Sequence, residues 1–369
     1  MSQNLAEIVQ RFQIPGEYVS GGPYGTGHIN DTYAVTVRQG ADEKRFILQR
    51  VNHRIFKDVP KLMENICRVT EHLRAKVAGR PGGRPERDAL TVIPAVDNRS
   101  YHQTAGGDYW RAYVFIEGAR TYDVIEDNRQ AYEAGKAFGA FQGLLADLPP
   151  PPLHETIRDF HHTPKRFETF EKAVADDVRG RRRECGPEIE FVLGMKAIAD
   201  TITRELGSRE LPLRVTHNDT KINNVMLDNA TGAAVCVIDL DTVMPGSILY
   251  DFGDQVRTTA GNFKENEKDL SQVYVDVERF GSLARGYLET AGSFLTKRET
   301  DLLVFSGMLI TLEIGVRFLT DYLQGDVYFK IHRPEENLDR CRTQFEFVRS
   351  IRKNEKAMQD IVERHRRGR

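Results

Sequence analysis

The sequence predicts an α+β protein in which a small N-terminal antiparallel sheet precedes a larger, mostly helical part. In the first third of the chain, apolar residues alternate or form short blocks bounded by glycine and proline, which is typical of strands. In the rest of the chain they recur at the three- and four-residue intervals of helices. The predicted strands of the sheet cover residues 33–37, 46–51, 91–96 and 109–116.

Length and composition indicate a globular protein with room for two domains or lobes. The chain has 369 residues, of which 40% are hydrophobic and 29% are charged. These values suit a soluble protein with sizeable cores. The net charge of −2 creates no global field that favours nucleic acid or an anionic membrane.

The remaining compositional features point to the cytoplasm. The four cysteines are far apart and form no C-x-x-C pair, which argues against a zinc site or a disulfide framework. No secretory signal is visible, and no apolar run approaches the length of a membrane span. We therefore expect a cytoplasmic protein with no nucleic acid, no membrane and no obligate protein partner.

The first segments predict a helix, a glycine-rich hairpin and a strand. An apolar helix over residues 5–12 ends at a Pro-Gly pair, and a glycine-rich segment at residues 21–27 follows it. Glycine lets backbone N–H groups approach an anion closely, so Gly25 and Gly27 are candidate phosphate-binding residues. A glycine-rich hairpin is more often only a hairpin, but its position before a strand favours the functional interpretation.

Helical periodicity dominates the later segments. A helix is predicted over residues 62–77, and the backbone at residues 116–118, after the last strand of the sheet, is a candidate hinge. Helices are also predicted over residues 132–145, over residues 189–206 as one continuous helix, and over residues 302–323.

Two polar segments, each following a short predicted strand, carry the candidate chemistry. The first reads H-x-D-x-K-x-x-N from His217 to Asn224, and the second contains Asp239 and Asp241 at the end of strand 234–238. An Asp in a polar loop is usually a turn residue, but two such clusters at this separation are hard to obtain by accident. An acid, an amide five residues later and an acid at the next strand end form the base-and-magnesium arrangement of phosphoryl transfer.

The predicted helix over residues 302–323 carries three charged residues at i,i+4 spacing, Glu313, Arg317 and Asp321. One interpretation is an exposed ladder of ion pairs, worth a few tenths of a kcal/mol per pair. The other is a polar wall of an acceptor pocket, continued by the segment that contains Tyr328.

These motifs resemble those of the aminoglycoside phosphotransferase/choline kinase superfamily. The likeness rests on His217-Asn218-Asp219 with Asn224, and on Val237-Ile238-Asp239. Longer strings extend over nearly the whole chain and are similar to those of N-acetylhexosamine 1-kinases. These strings are GTGHIN at residues 25–30, RVTHNDTK at 214–221, IDLDTVMPGS at 238–247 and RFLTDYL at 317–323.

The resemblance implies a bilobal protein-kinase-like fold and a sugar kinase activity. The implied lobes are residues 1–117, covering the nucleotide, and residues 118–369, for catalysis and sugar binding. The implied reaction is ATP- and Mg²⁺-dependent phosphorylation of the anomeric hydroxyl of N-acetylglucosamine or N-acetylgalactosamine. Two alternatives stay open. One is a kinase of the same fold acting on an aminoglycoside, a choline-like alcohol or homoserine, and the other is a catalytically silent nucleotide-binding or scaffold protein.

The resemblance also implies roles for individual residues. Asp219 is the implied general base, Lys221 the cation that stabilises the transferred phosphoryl group, and Asn224 and Asp239 the magnesium ligands. Asp241 is their candidate partner. The implied nucleotide-binding residues are Gly25, Gly27, Gln49, Phe115 and Ile116, and the implied sugar-binding residues are His28, Asn30, Asp219, Arg317 and Tyr328.

Gln49 departs from the lysine that kinase-like folds carry on this strand. A neutral amide can bind phosphate but supplies no charge, although the N-acetylhexosamine 1-kinases also carry glutamine here. Arg50 points to the other face of a regular strand, so it replaces the lysine only if a bulge re-aims it.

Overall fold

The computed structural model describes residues 4–25, 29–261 and 263–367. The chain forms two compact units, each built from three segments, whereas the sequence predicted one boundary between residues 117 and 118. Unit 1 contains Met1–Arg120, Asp147–Arg158 and Met226–Met244, and unit 2 contains Thr121–Ala146, Asp159–Val225 and Pro245–Arg369. The last segment of unit 1 returns to the first because strand pairing holds it there, as described below.

Unit 1 is built on a six-stranded antiparallel sheet with strand order β1-β2-β3-β6-β4, and β5 pairs with β6. A second sheet, ordered β10-β9-β7, holds the returning segment. The elements are α1 (Leu5–Val9), β1 (Glu17–Pro23), β2 (Asp31–Gln39), β3 (Asp42–Val51), α2 (Val59–Ala78), α3 (Pro85–Asp88), β4 (Val92–Ile93), β5 (His102–Gln103), β6 (Tyr109–Val114), β7 (Ala119–Arg120), β9 (Val225–Asp228) and β10 (Ala234–Val237).

The register of the large sheet decides which residues surround Gln49. Thr32 lies opposite Gln49 on β2, and Arg111 lies opposite it on β6. The pairing of β2 with β3 is regular, so Arg50 lies opposite Asp31, and its Nε donates to the Asp31 carboxylate at 2.8 Å. Without a bulge at this place, Arg50 stays on the face away from Gln49.

Unit 2 is mostly helical, so the predicted combination of a small antiparallel sheet with a larger helical part is confirmed. Its elements are α4 (Asn128–Leu145), α5 (Thr163–Asp176), α6 (Gly186–Gly194), α7 (Thr201–Gly207), β8 (Arg214–Thr216), α8 (Ile248–Thr259), α9 (Val277–Ala291), α10 (Lys297–Asp301), α11 (Leu303–Gln324) and α12 (Glu336–Arg367); β11 (Met244–Gly246) runs across the boundary between the units.

Helices α4 and α9 approach each other closely because both carry glycine at the crossing. A Cβ atom at Gly135 would lie 2.3 Å from the carbonyl oxygen of Leu283, and one at Gly286 would lie 2.0 Å from that of Tyr132. Only glycine permits these backbone contacts. This packing fixes α4, whose C-terminal half contacts the loop that begins at His217.

Two predictions about helices need correction. The predicted helix over residues 189–206 is divided into α6, a short 3₁₀ turn and α7, because α6 ends at Gly194 and α7 begins only at Thr201. Among the described residues, α11 is long and apolar enough to match a membrane span, contrary to the prediction that no run approaches that length. However, 89% of its apolar window is buried within the protein, as in a core helix.

Candidate active site

A buried carboxylate on α8 anchors the backbone of the loop from His217 to Thr220. Asp251 accepts hydrogen bonds from the backbone N–H groups of His217, at 2.9 Å, and Asn218, at 2.7 Å. The side-chain amide of Gln142 donates to the same carboxylate at 2.7 Å. Burial raises the pKa of Asp251, against these three donors, which favour its ionised form. The loop conformation and the state of this carboxylate therefore depend on each other.

A second carboxylate on α8 holds the far end of the same turn. Asp254 accepts from the backbone N–H of Thr220 at 2.9 Å and pairs with Arg257 at 2.7 Å. Burial opposes its ionisation, but the Arg257 guanidinium outweighs burial and holds the pKa of Asp254 below its ordinary value. The loop is thus anchored at both ends by one helix.

His217 is a buried structural residue of this loop. Its ring is fully buried and meets the rings of Phe138 and Phe141 on α4 edge-on, with centroids 5.4 and 5.7 Å away. Its Nδ1 accepts from the backbone N–H of Asp219 at 3.3 Å. The histidine of the motif therefore orients the backbone at Asp219 from the interior.

Above these anchors, three predicted catalytic and metal-binding residues lie together. The side chains of Asp219 and Lys221 are 26% and 40% exposed, and Lys221 Nζ lies 3.1 Å from Asp219 Oδ2. The amide nitrogen of Asn224 donates to the carbonyl of Asp219 at 2.7 Å and to its carboxylate at 3.2 Å. These bonds fix the amide of Asn224 with its oxygen as the remaining acceptor. The loop thus presents an accessible carboxylate, an accessible cation and an oriented amide oxygen.

The other two acids of the motif belong to unit 1 and differ in environment. Asp239, directly after β10, is exposed and has a left-handed backbone conformation with φ of 61°. For a residue other than glycine this conformation is strained, and such strain concentrates at functional sites. Asp241 is 2% exposed, and its carboxylate forms an ion pair with Arg111 and accepts from Asn30 Nδ2 at 2.6 Å.

Gln49 belongs to the same buried network of unit 1. Its amide oxygen accepts from Arg111 Nε at 2.9 Å, and its amide nitrogen donates to Thr32 Oγ1 at 2.9 Å. Burial opposes the charge of Arg111, but the Asp241 carboxylate outweighs it and raises the pKa of the guanidinium above its ordinary value. The cation beside Gln49 is therefore a buried arginine on the neighbouring strand.

Three further residues predicted to bind nucleotide, Gly25, Phe115 and Ile116, lie in unit 1 just beyond the ends of strands β1 and β6. Gly25 has φ of +78°, which favours glycine, and no heavy atom lies near its would-be Cβ. Phe115 and Ile116 are buried, with the Arg45 guanidinium 3.8 Å from the Phe115 ring and the Tyr24 ring edge-on to it. Two further predicted residues, Gly27 and His28, lie outside the described residues.

In unit 2, the predicted sugar-binding residues Arg317 and Tyr328 lie together in an aromatic cluster. The Arg317 guanidinium lies 5.5–5.8 Å from the ring centroids of Phe160, Tyr328 and Phe329, and its Nη2 donates to the Tyr328 hydroxyl at 3.4 Å. Arg166 lies close by and donates to the carbonyl of Phe160 at 2.8 Å. Burial and the charge of Arg317 lower the pKa of Arg166.

The alternative interpretation of Arg317 as part of an exposed ion-pair ladder is wrong. Glu313 and Asp321 are 0% and 2% exposed, and among the described residues neither forms an ion pair with Arg317. Instead, Glu313 Oε1 lies 2.8 Å from His161 Nδ1, and Glu313 Oε2 accepts from Thr163 Oγ1 at 2.6 Å. Asp321 accepts from the backbone N–H groups of residues 327, 328 and 329 at 2.8–2.9 Å, and thereby holds the segment that carries Tyr328.

The aromatic cluster lies beside the loop that contains Asp219, as the contacts of one short segment show. The ring of Phe160 faces Arg317, and the next residue, His161, lies with its Nε2 3.0 Å from the carbonyl oxygen of Asn218. Asn218 directly precedes Asp219. The described part of the chain contains no group of three or more His, Cys, Asp or Glu residues arranged for a metal ion.

The sequence matches the phosphotransferase enzyme family (APH) over residues 21–276, which is well over half of the chain. The chain belongs to this family. The matched range includes the glycine-rich segment, the loop with Asp219 and the strand end with Asp239, whereas Arg317 and Tyr328 lie beyond it.

Solved structures share the fold of this phosphotransferase at low sequence identity. A microcompartment-associated aminopropanol kinase has a TM-score of 0.64 and 17% identity, with 96% of this chain and 98% of that chain covered. A spectinomycin phosphotransferase, solved with ADP and spectinomycin, has a TM-score of 0.58 and 14% identity, with coverages of 99% and 98%. A choline kinase from Cryptosporidium parvum Iowa II has a TM-score of 0.56 and 12% identity, with 96% of each chain covered. The predicted protein-kinase-like fold is thus confirmed.

Sequence reasoning missed several residues that shape the site of this phosphotransferase. The sequence patterns assign no role to Arg111, Gln142, His161 or Asp251. Each lies 30 or more residues along the chain from the residue that it contacts in this site. The one available signal was a charged or amide residue within an otherwise apolar segment, as for Arg111 on β6.

Proposed function

We propose that this phosphotransferase transfers the γ-phosphoryl group of ATP to the anomeric hydroxyl of N-acetylglucosamine or N-acetylgalactosamine, giving the sugar 1-phosphate and ADP. The observation that carries the proposal is the cluster around Arg317, which combines two arginines with aromatic rings beside the loop of Asp219. The guanidinium group of arginine donates hydrogen bonds to hydroxyl and amide oxygens, and aromatic rings pack against the apolar faces of a sugar.

The same cluster argues against the alternative acceptors that carry amines. Aminoglycosides and choline-like alcohols are cations, and a site for them requires acidic residues or an open aromatic cage. Here Arg317 itself faces the three rings, Arg166 adds a second positive charge, and Glu313 and Asp321 are bonded elsewhere. An uncharged acceptor avoids the charge repulsion that an ammonium group would meet.

The loop residues suit the roles that this reaction requires. Asp219 accepts the proton of the anomeric hydroxyl, which is the most acidic hydroxyl of a free sugar. An ordinary, accessible carboxylate suffices because the proton leaves late in a loose transition state. Lys221, held beside Asp219, stabilises negative charge on the transferred group.

The donor set also suits Mg²⁺, which prefers oxygen ligands and keeps several waters. We assign the ion to the amide oxygen of Asn224 and the carboxylate of Asp239, since Asn224 is oriented through its nitrogen and Asp239 is exposed at a strand end. When bound, Mg²⁺ neutralises charge on the nucleotide phosphates.

We assign nucleotide binding to residues of unit 1. That the spectinomycin enzyme was solved with ADP supports ATP as co-substrate. Gly25 offers its backbone to the phosphates, Phe115 and Ile116 form the adenine side, and the amide of Gln49 has one N–H beyond the bond to Thr32. Gly27, His28 and Asn30 keep their proposed roles in the nucleotide and sugar sites.

The test is an acceptor panel with ATP and Mg²⁺, followed by phosphorus NMR of the products. N-acetylglucosamine and glucosamine form the decisive pair, because they share the anomeric hydroxyl and differ in charge. We expect an anomeric phosphate on the acetylated sugar and much slower turnover of the amine. Preferential phosphorylation of choline, an aminoglycoside or homoserine would contradict the proposal, and the absence of transfer to any acceptor would favour the silent nucleotide-binding alternative.

The Arg317→Ala and Arg317→Lys variants sharpen this test. Sugar oxygens left unpaired cost about 1–3 kcal/mol, so kcat/KM for the sugar should fall roughly tenfold to a hundredfold, with KM for ATP unchanged. Lysine should not rescue activity because it lacks the planar fork. Arg349→Ala is the matched control, since Arg349 also packs over an aromatic ring, that of Phe191. A sugar kcat/KM within twofold of wild type would remove Arg317 from the site.

A further inference from the structure

A buried histidine outside the phosphotransferase motif faces two hydrogen-bond acceptors. His161 Nδ1 lies 2.8 Å from Glu313 Oε1, and its Nε2 lies 3.0 Å from the backbone carbonyl oxygen of Asn218. The His161 and Glu313 side chains are only 3% and 0% exposed. Neither residue belongs to the H-x-D-x-K-x-x-N loop or to the strand end with Asp239.

The chemistry of these atoms specifies the protonation state of the ring. A carbonyl oxygen can only accept, so Nε2 must carry a proton. An ionised carboxylate also only accepts, so Nδ1 must carry one as well. The other oxygen of Glu313 already accepts from Thr163 Oγ1 at 2.6 Å. A neutral imidazole has one N–H and cannot satisfy both partners, whereas an imidazolium satisfies both.

The carbonyl that His161 contacts belongs to the peptide bond that leads into Asp219. The N–H of the same peptide, on Asp219, donates to His217 Nδ1 at 3.3 Å. Because a peptide group is planar, His161 at its carbonyl oxygen and His217 at its N–H together fix the orientation of the whole group. Asn218 also has φ of 66°, a left-handed conformation that these contacts help to hold.

We propose that His161 is a positioning residue that is charged at neutral pH, an imidazolium that ties the peptide before Asp219 to Glu313 on α11. Glu313 precedes Arg317 by one helical turn, so the pair links the proposed base to the helix that carries the proposed sugar contact. The protonation state rests on these contacts and on the ionised form of Glu313, and it does not depend on the proposed reaction. Its kinetic consequence rests on the proposed role of Asp219.

The charges around the pair favour this state. Burial alone lowers the pKa of His161, but the carboxylate of Glu313 and, more weakly, that of Asp254 on α8 outweigh it and raise the pKa above its ordinary value of 6.5. Burial likewise opposes ionisation of Glu313, and His161, Thr163 and Arg317 hold the pKa of this carboxyl below its ordinary value. Tyr250 on α8 faces the ring of His161 at a centroid distance of 5.2 Å.

The direction of the pH dependence follows from these shifts. A histidine whose pKa is raised in the folded protein contributes stability that is fully present below its unfolded pKa and is lost as the pH rises through the folded pKa. Glu313 contributes stability that is lost as the pH falls through its own lowered pKa. We therefore expect the contribution to persist at pH 7 and kcat to decline on the alkaline side, where the ring loses its proton.

The direct test is nitrogen NMR of the full-length protein with labelled histidine, with the His161 signals assigned from the His161→Gln variant. We expect both ring nitrogens of His161 to be protonated at pH 7.5, where an ordinary histidine is neutral. One protonated and one bare nitrogen would overturn the proposal. The measurement needs no acceptor, so it stands apart from the proposed sugar kinase function.

The kinetic test is Glu313→Gln, which keeps the shape and removes the charge. With ATP and N-acetylglucosamine, or the best acceptor of the panel if that sugar is inactive, we expect kcat to fall about tenfold, KM for ATP to stay within twofold and the alkaline limb of kcat to move to lower pH. The matched control is Glu64→Gln. It alters another histidine–glutamate pair, which is exposed and in which His154 Nε2 lies 3.0 Å from Glu64 Oε2. This variant should change none of these quantities.

Two outcomes of the kinetic test would overturn the positioning role. One is an unchanged kcat and pH profile in folded Glu313→Gln, and the other is a lower melting temperature with no kinetic effect, as expected of a purely structural pair. If Glu313→Gln does not fold, the NMR result on the wild-type chain still decides the protonation state, and Thr163→Val, which removes one donor to Glu313, takes its place in the kinetic test. An unchanged alkaline limb of kcat in Thr163→Val would then count against the positioning role.

Discussion

Each unit of this phosphotransferase contains a buried aspartate near the proposed chemistry, but the two are stabilised by different partners. In unit 1, Asp241 is paired with a buried arginine and accepts from Asn30. In unit 2, Asp251 accepts from two backbone N–H groups and the amide of Gln142, none of which is charged.

The difference shows what each carboxylate does. The donors to Asp251 belong largely to the catalytic loop, so its charge acts directly on the backbone at His217 and Asn218. The charge of Asp241 is balanced by Arg111, which in turn holds Gln49. The first arrangement anchors the loop that contains Asp219, and the second places a buried arginine and its counter-ion beside Gln49.

The largest effect is expected where the loop reacts rather than where it is anchored. In Asp219→Asn the partly exposed carboxylate is lost but the contacts of the backbone remain. A general base contributes about 10²–10⁴-fold, so kcat should fall by that factor, while the melting temperature and ADP affinity stay near the wild-type values. Steady-state kinetics with calorimetric ADP binding measure both. A folded variant with near-normal kcat would show that another group accepts the proton.

The next effect is expected at the charged anchor of unit 1. Arg111→Met leaves Asp241 buried without its counter-ion, which should lower the free energy of unfolding by about 3–5 kcal/mol. Denaturant titration measures this value. Arg38→Met is the control, because the exposed Arg38–Glu43 pair should contribute about 0–1 kcal/mol.

A double variant tests the cause of that loss. Arg111→Met with Asp241→Leu removes both charges, so it should recover much of the stability that the single variant loses. If the double variant were less stable than the sum of the two single changes, the ion pair would not be the reason for the effect.

A smaller effect on stability, coupled to activity, is expected at the uncharged anchor of unit 2. Asp251→Asn replaces one acceptor oxygen by an NH₂ group, so one of the three donors loses its partner at a cost of about 1–3 kcal/mol. Because two of these donors lie in the catalytic loop, kcat should fall together with stability. Asp269→Asn, at an exposed turn where Asp269 accepts from Ser271, is the control. A stability loss with unchanged kcat would mean that Asp251 does not position the loop.

Residue order along the chain determined the local arrangement of the loop of Asp219 and the positions of several strands and helices. The spacing of Asp219, Lys221 and Asn224 was sufficient to predict that they lie together, because a loop of eight residues from His217 brings them within reach of each other. Alternation and periodicity predicted the strands around Gln49 and the long helix α11, since both depend on which side chains face a core.

Only the tertiary structure decided the partners of these residues. Arg111 lies beside Gln49 because of the antiparallel register of β3 and β6, and periodicity within one strand carries no information about register. Spacing on α11 made Glu313 and Asp321 equally suited to an exposed ladder or a pocket wall. In the structure, the segment around His161 and residues 327–329 pack against that helix and bury both acids, while Arg317 lies among aromatic rings. A buried carboxylate requires hydrogen-bond donors, and here only distant parts of the chain supply them.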